Sequence, residues 1–308
     1  MPGDSPLWQG GADLQFTDRA LQYGDGLFET IGIHQGRAWL LDLHLLRLAR
    51  GIARLGLTWP DEEQLHQVFQ GAQRACEQCS AGVLKLTVSA GGRRRGYGRD
   101  SSAASRVRAA LYETTPLRQM AVPGLRLYQC QTQLAQQPKL AGIKHLNRLE
   151  QVLAAAEWDT HDYDEGLMLD SLGNVAEATA SNIIYAQAGR LHTPALQQCG
   201  VHGVLREALL ERMQPAITLA ELAANALSNI EGLWLCNSVQ GLRQVASIRT
   251  PSEQIRLTLD SYTAQLNEVV LNLRSNECFA FGDPRLQERL RSHSAAAPLL
   301  SVFAGRQR

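Results

Sequence analysis

Lysine is scarce in this chain. Of 30 basic residues, 27 are arginines, and only Lys85, Lys139 and Lys144 are lysines. Arginine stays protonated in proteins, whereas a suitably placed lysine can lose its proton and attack a carbonyl. Any amine nucleophile must therefore come from three positions. Net charge is lacking too, because 30 acidic side chains balance the 30 basic ones. No chain-wide field favours nucleic acid or an anionic membrane, so the partners to expect are small molecules or other copies of the chain. Long apolar runs are also absent. No stretch approaches the roughly 18 apolar residues of a membrane span, and MPGDSPLWQGGADLQF lacks a basic start followed by an apolar segment. A cytoplasmic protein is expected. The six cysteines (Cys76, Cys79, Cys130, Cys199, Cys236, Cys278) are scattered through a chain long enough to bury a core without cross-links. Cys76 and Cys79 form one CxxC without a second pair, so no metal is expected.

What is present reads as two domains, since 308 residues with 44% hydrophobic side chains exceed the usual size of one. Glycines 24 and 26 punctuate a turn before a hairpin around Gln35 and Gly36. Leu43, Leu46, Leu48, Ile52 and Leu55 recur at near-helical spacing, with Asp42 as N-cap and Gly56 as stop. A second helix is predicted over 61–78, with Leu65, Val68 and Phe69 inward. Strands VLKLTVSA and RVRAALYET follow, and Thr115 and Pro116 mark a connector. The expected division is an N-terminal α/β domain (1–115), a connector (116–122), a second domain (123–250) and an atypical, loosely ordered tail (251–308). In the second half the pattern predicts a strand at GLRLYQC, a helix in LNRLEQVLAAAEW, strands at EGLMLD, VAEATASNIIYAQ and RLHTP, a helix entered through Gly200 and Gly203, and a strand at GLWLCNS. Mixed strands and helices in two halves imply an α/β or α+β enzyme with its pocket at the domain seam.

Several residues could carry chemistry. Lys144 follows the flexible PKLAG stretch and precedes a helical pattern, where its amine could project from a rigid element; a solvated surface charge is the ordinary alternative. GVHGVLRE can hold an anion, because glycines allow close backbone approach and a helix start presents N–H groups with favourable dipole sign. It matches neither a P-loop nor a GxGxxG fingerprint. Glu177, in VAEATASN, faces either solvent or the interior, where its carboxylate requires a partner; a pyridinium nitrogen would serve. Arg93, Arg94 and Arg95 with Tyr97 form either a solvated loop or a carboxylate clamp.

Taken together, DRALQYGDGLFET, HLLRL, GVLKLTVSAGGRRRGYG, LAGIKHLNRLEQVL, DEGLMLDSLGNVAEATASNIIY and GVHGVLRE, in this order, resemble the fold-type IV pyridoxal phosphate enzymes, the D-amino acid aminotransferase-like group. KHLNRLEQVL is closest to the aminodeoxychorismate lyases within it. The resemblance covers about residues 8–248. It implies that Lys144 holds pyridoxal 5'-phosphate covalently, that Glu177 meets the pyridine nitrogen, and that Arg47 binds the phosphate with the backbone amides of Val204 and Leu205. Ser238 and Asn182 are implied as further cofactor contacts, and Arg95, Tyr97, Arg148 and Glu29 as substrate contacts. The implied reaction converts 4-amino-4-deoxychorismate to 4-aminobenzoate and pyruvate, a step of folate synthesis, in a homodimer. A D-amino acid or branched-chain aminotransferase would use the same lysine, glutamate and phosphate cup. A non-catalytic pyridoxal phosphate-binding protein could retain them as well.

Overall fold

The computed structural model describes residues 5–92, 95–114, 124–258 and 262–303. Arg93, Arg94 and the expected connector at 116–122 lie outside the described residues. In chain order the elements are β1 (Trp8–Gly11), α1 (Arg19–Tyr23), β2 (Gly26–His34), β3 (Arg37–Trp39), α2 (Leu41–Leu55), α3 (Glu62–Glu77), β4 (Ala81–Ser89) and β5 (Arg106–Glu113). They continue with β6 (Leu125–Gln129), α4 (Leu149–Ala155), β7 (Glu165–Leu169), β8 (Val175–Ala178), β9 (Asn182–Gln187), β10 (Arg190–Thr193), α5 (Val204–Arg212) and β11 (Thr218–Leu219). The last are β12 (Gly232–Asn237), β13 (Gly241–Arg249), β14 (Gln254–Arg256), α6 (Tyr262–Asn276), β15 (Cys278–Phe279), α7 (Pro284–Arg291) and α8 (Ala297–Phe303). The chain groups into two compact units: 1–117 with 143–147 and 274–308, and 118–142 with 148–273.

The first unit is built on a six-stranded sheet in the order β1-β5-β4-β2-β3-β15, every neighbouring pair antiparallel. Strand β2 explains how the sheet meets α2. Leu27, Glu29, Ile31 and Ile33 are buried, while Phe28, Thr30 and Gly32 are less so, the period-two signature of a strand with one covered face. Helix α2 buries Leu41, Leu45, Leu48 and Ile52, each apolar side chain contributing about 1.5–3 kcal/mol. Gln35 and Gly36 make the β2–β3 turn with positive φ, and Gly56 ends α2 in the left-handed conformation. Asp42 is not the N-cap. Leu40 holds that position, its N–H donating to the Glu277 carbonyl, and Asp42 sits in the first turn, paired with Arg289.

Within the expected tail the described residues form β14, α6, β15, α7 and α8, contrary to the loose order the sequence pattern suggests, and from residue 274 onward they belong to this first unit. Cys278 and Phe279 pair with Trp39 and Ala38, and Phe69 of α3 stacks on Phe281 and Phe303, with ring centroids 5.3 and 5.4 Å away. These anchors lie more than 200 residues apart in the chain, so a local periodicity test could not register them.

The second unit holds a nine-stranded mixed sheet, β11-β10-β9-β12-β13-β6-β7-β8, with β14 added on β13. Strands β13, β6 and β7 run parallel, and α4 lies in the β6-to-β7 connection, as parallel neighbours require a crossover. Leu127, Leu167, Ile183, Tyr185, Leu233, Leu235 and Ile248 fill one apolar core. The run 175–187 is two strands rather than one, because the chain turns at 179–181 between β8 and β9. Helix α4 is shorter than the periodicity of 146–158 suggests. No helix among the described residues is long and apolar enough to cross a membrane.

Candidate functional site

The three lysines differ sharply in setting. Lys85 lies on β4 and Lys139 in a loop, both exposed, whereas Lys144 is half-buried. Its segment, 143–147, is docked edge-on against β2. The Phe28 N–H donates to the Lys144 carbonyl at 2.9 Å, the Leu146 N–H donates to the Gly26 carbonyl at 3.0 Å, and His145 bridges to Leu27. Backbone bonds on both sides fix the position from which the amine leaves the chain. The Lys144 Nζ lies 4.5 Å from the centroid of the Phe28 ring, an attractive placement for an ammonium over a π face.

Behind β2, on its α2 side, Glu29 is 1% exposed. Its Oε1 accepts from Arg47 Nε at 2.9 Å, and its Oε2 accepts from Arg47 Nη2 at 2.5 Å and pairs with His44 Nδ1 at 2.6 Å. Burial pushes the Glu29 carboxyl up, but the charge and hydrogen bonds of Arg47 and His44 outweigh it and hold the group at about 2. His44 is held below its ordinary value, first by burial and then by the positive charges of Arg47 and Lys144, which together exceed the pull of Glu29. Glu29, read from the sequence as a substrate contact, thus has its carboxylate engaged in the interior. Arg47, buried on α2, has its guanidinium oriented by that carboxylate.

In the second unit, Glu177 on β8 is buried, and its Oε2 accepts from the Val201 N–H at 2.8 Å and from Asn182 Nδ2 at 3.3 Å. The same Asn182 Nδ2 donates to the Val201 carbonyl at 2.8 Å. The 200–205 segment comes this close because of its glycines. Gly200 has φ +77, and a Cβ there would stand 3.1 Å from Glu177 Oε2; at Gly203 it would fall 1.9 Å from Asn182 Oδ1. Gly203 precedes α5 and no side chain caps it, so the N–H groups of Val204 and Leu205 open the helix. A helix start of this kind suits an anion. Ser238 is buried just after β12, and Arg148 is half-buried at the start of α4.

Of the arginine clamp, Arg95 and Tyr97 are exposed, Tyr97 at 89%. Their backbone is held by groups that sequence reading passed over: Arg19 donates to the carbonyls of Gly96, Gly98 and Tyr97. His44 was missed as well. Arg19 lies in a segment read for its turn glycines and His44 in one read for leucine spacing, and the sequence signal that could have found them is a charged residue at a helix position facing the core. Cys76 and Cys79 are buried and uncombined, and burial pushes the Cys76 thiol up to about 12, which leaves it unreactive.

In the second unit, the Glu177 carboxylate with its neutral donors and the start of α5 suit a pyridine nitrogen and a phosphate; in the first, the half-buried Lys144 amine suits an aldehyde. Comparison with known proteins agrees. Residues 26–248 match the model of the amino-transferase class IV family. The chain is 31% identical over 254 residues to an aminodeoxychorismate lyase of Vibrio harveyi, covering 81% of this chain and 92% of that protein. It superposes on the structure of 4-amino-4-deoxychorismate lyase from Pseudomonas aeruginosa with a TM-score of 0.74 and 36% identity, covering 87% of this chain and 98% of that one. A branched-chain aminotransferase from Thermoproteus uzoniensis, at 20% identity and TM-score 0.75, covering 86% and 91%, shares the fold. With a family model spanning most of its length and a lyase relative aligned over four fifths of it, the chain belongs to the class IV amino-transferase family.

Proposed function

We propose that this protein is a pyridoxal phosphate-dependent lyase that converts 4-amino-4-deoxychorismate to 4-aminobenzoate and pyruvate. The observation that carries the lyase reading over a transaminase is the identity of 31% and 36% to two such lyases along more than four fifths of the chain.

In this reading Lys144 holds the cofactor aldehyde, Arg47 and the amides of Val204 and Leu205 hold its phosphate, and Ser238 and Asn182 contribute further contacts. The second unit, through residues 123–250, supplies most of the cofactor's polar partners. Pyridoxal phosphate supplies an electron sink for carbanion charge developing on the substrate. Glu177, whose Oε2 accepts from the Val201 N–H and from Asn182 Nδ2, would partner the pyridine nitrogen. The Lys144 Nζ, as a free amine, would take the proton from the carbon bearing the substrate nitrogen. The same amine then returns a proton to the methylene carbon of the departing enolpyruvyl group, the C–O bond breaks, and the ring becomes aromatic. Arg95, Tyr97 and Arg148 serve the two substrate carboxylates.

Two further assignments belong to this reading. Leu149, Val152 and Leu153 are 75%, 60% and 59% exposed on one face of α4, and an apolar stripe at that spacing supports a homodimer. A cytoplasmic location fits a folate-synthesis enzyme.

The test is pyruvate release from authentic 4-amino-4-deoxychorismate, alongside an assay with a keto-acid amino acceptor. Wild-type protein should release pyruvate and 4-aminobenzoate in equal amounts, and Lys144→Ala should lose both that activity and the cofactor absorption band. Amino transfer to the keto acid without pyruvate release would make the protein a transaminase. Turnover by Lys144→Ala would refute the role given to the amine.

A further inference from the structure

The turn at Tyr23–Gly26 does more than reverse the chain. On one side it receives the lysine segment: Asn147 Nδ2 donates to the Gly24 carbonyl at 3.0 Å and the Leu146 N–H to the Gly26 carbonyl at 3.0 Å. Both glycines are required for that approach. Gly24 has φ +60, and a Cβ there would stand 2.6 Å from Asn147 Oδ1; a Cβ on Gly26 would stand 2.3 Å from the Val88 carbonyl oxygen and 2.9 Å from Leu146 Cδ1.

On its other side, the residue between those glycines gathers two guanidinium groups. Asp25 Oδ2 accepts from Arg19 Nε at 2.8 Å and from Arg99 Nε at 2.9 Å, and its Oδ1 accepts from Arg99 Nη2. Arg99 Nη1 donates to the Leu55 carbonyl at the end of α2. Arg19 is 3% exposed, although it is an arginine on a five-residue helix. Its burial is explained by what it holds: the carbonyls of Gly96, Tyr97 and Gly98 at 3.0, 3.1 and 3.3 Å. The Arg19 guanidinium also lies over the Tyr23 ring at 4.9 Å, and that ring packs against Tyr97 at 5.6 Å. Three consecutive backbone carbonyls on one buried cation leave Arg95 and Tyr97 projecting outward from a fixed loop. A guanidinium fork is suited to this task, because its donors are rigidly spaced and permanently charged.

We propose that Asp25, with Arg19 and Arg99, is a positioning centre that fixes the 95–99 loop in register with the Lys144 segment and so sets the carboxylate specificity of the site. The specificity half of this inference rests on the lyase reading above; the positioning half does not. Arg19, Asp25 and Arg99 touch no reacting atoms in this account and act only through the loop. Arg95 is exposed and directly precedes the three carbonyls held by Arg19, so tryptic cleavage of the Arg95–Gly96 bond reports directly on whether the loop is held. Holding matters to recognition because a clamp fixed before binding loses little ordering entropy when the substrate arrives.

The experiment compares holoenzyme of wild type, Arg99→Met and Asp25→Asn by native-state tryptic cleavage, steady-state kinetics with 4-amino-4-deoxychorismate, and cofactor absorption. Arg99→Met keeps the Arg19–Asp25 pair intact and serves where Asp25→Asn folds poorly. Cleavage after Arg95 should accelerate at least tenfold in Arg99→Met, and KM should rise about tenfold with kcat within threefold and the cofactor band unchanged. Arg99→Lys, which restores a cation but not the fork, should recover less than half of the KM effect. Unchanged cleavage would overturn the tether, and fast cleavage with an unchanged KM would overturn its role in specificity. Loss of cofactor together with kcat would show a merely structural cluster and overturn both. A wild type that releases no pyruvate would refute the lyase reading and with it the specificity half, while the proteolysis would still decide the tether.

Discussion

Glu29 and Arg47 are joined by two hydrogen bonds in the interior of the first unit, one to each carboxylate oxygen. The pair lies between β2 and α2, so it fixes the rotamer of the arginine assigned to the cofactor phosphate before any ligand arrives. Glu29→Gln should leave the buried guanidinium without its counter-charge and destabilise the fold by about 3–5 kcal/mol. Urea unfolding measures this. The double variant Glu29→Gln/Arg47→Met should recover part of the loss, because removing both charges leaves neither uncompensated. Equal stability of wild type and Glu29→Gln would refute the interior role.

Acid should weaken the protein in two separate windows. Native His44 resists protonation, while unfolded His44 accepts a proton near 6.5. Its contribution is therefore complete above that pH and falls as the pH drops below it. Glu29, held at about 2 against an ordinary 4.5, contributes fully above 4.5 and loses its share as the pH falls towards 2. His44→Gln should flatten the stability profile between pH 7.5 and 5.5 by up to about 1.4 kcal/mol per pH unit and, because His44 helps hold the Glu29 carboxyl down, also shrink the loss in the lower window. Identical upper-window slopes would contradict the assignment.

Gly203→Ala tests the approach of the 200–205 segment to Asn182. A methyl group there would meet Asn182 Oδ1 at 1.9 Å and force it aside, disturbing the donor that Asn182 directs at Glu177 and the uncapped start of α5. Titration of apoprotein with pyridoxal phosphate should show affinity reduced at least tenfold. Unaltered affinity would mean that this helix start does not hold the phosphate.

Removing residues 277–308 should unfold the first unit. The deletion uncovers Phe69, removes a sheet strand, and deprives buried Asp42 of Arg289 Nη1 at 2.8 Å. Circular dichroism should show Tm lowered by more than 10 °C, or no folded protein. A truncated chain with wild-type melting would make the tail dispensable.

Leu153→Glu places a charge within the exposed stripe of α4. It should shift the protein from dimer to monomer in sedimentation while leaving the far-ultraviolet spectrum intact, since the side chain contributes little to the core of its own unit. A wild type that sediments as a monomer would remove the basis for the homodimer.

Strongly periodic segments were legible in the sequence. Leu65, Val68 and Phe69 identify α3, and Gln35–Gly36 and Gly56 identify a turn and a helix end from residue chemistry alone. The candidate site was legible in part, through residue types whose chemistry is rare, namely a lysine in an arginine-rich chain and glycines at a helix entrance. What failed were assignments whose deciding partner is remote. Asp42 reads as an N-cap until Arg289, 247 positions away, is seen to engage it, and Glu29 reads as a substrate ligand until Arg47 and His44 close around it.

The sequence by itself determined which chemistry this protein has at its disposal: three amines, a glycine-lined anion cradle and a carboxylate in a strand, because composition and local spacing are properties of the chain alone. Only the tertiary structure decided which amine is half-buried, which charges are neutralised inside, and that the last helices complete the first unit. Those outcomes depend on desolvation and on pairing between distant residues, and neither exists until the chain has folded.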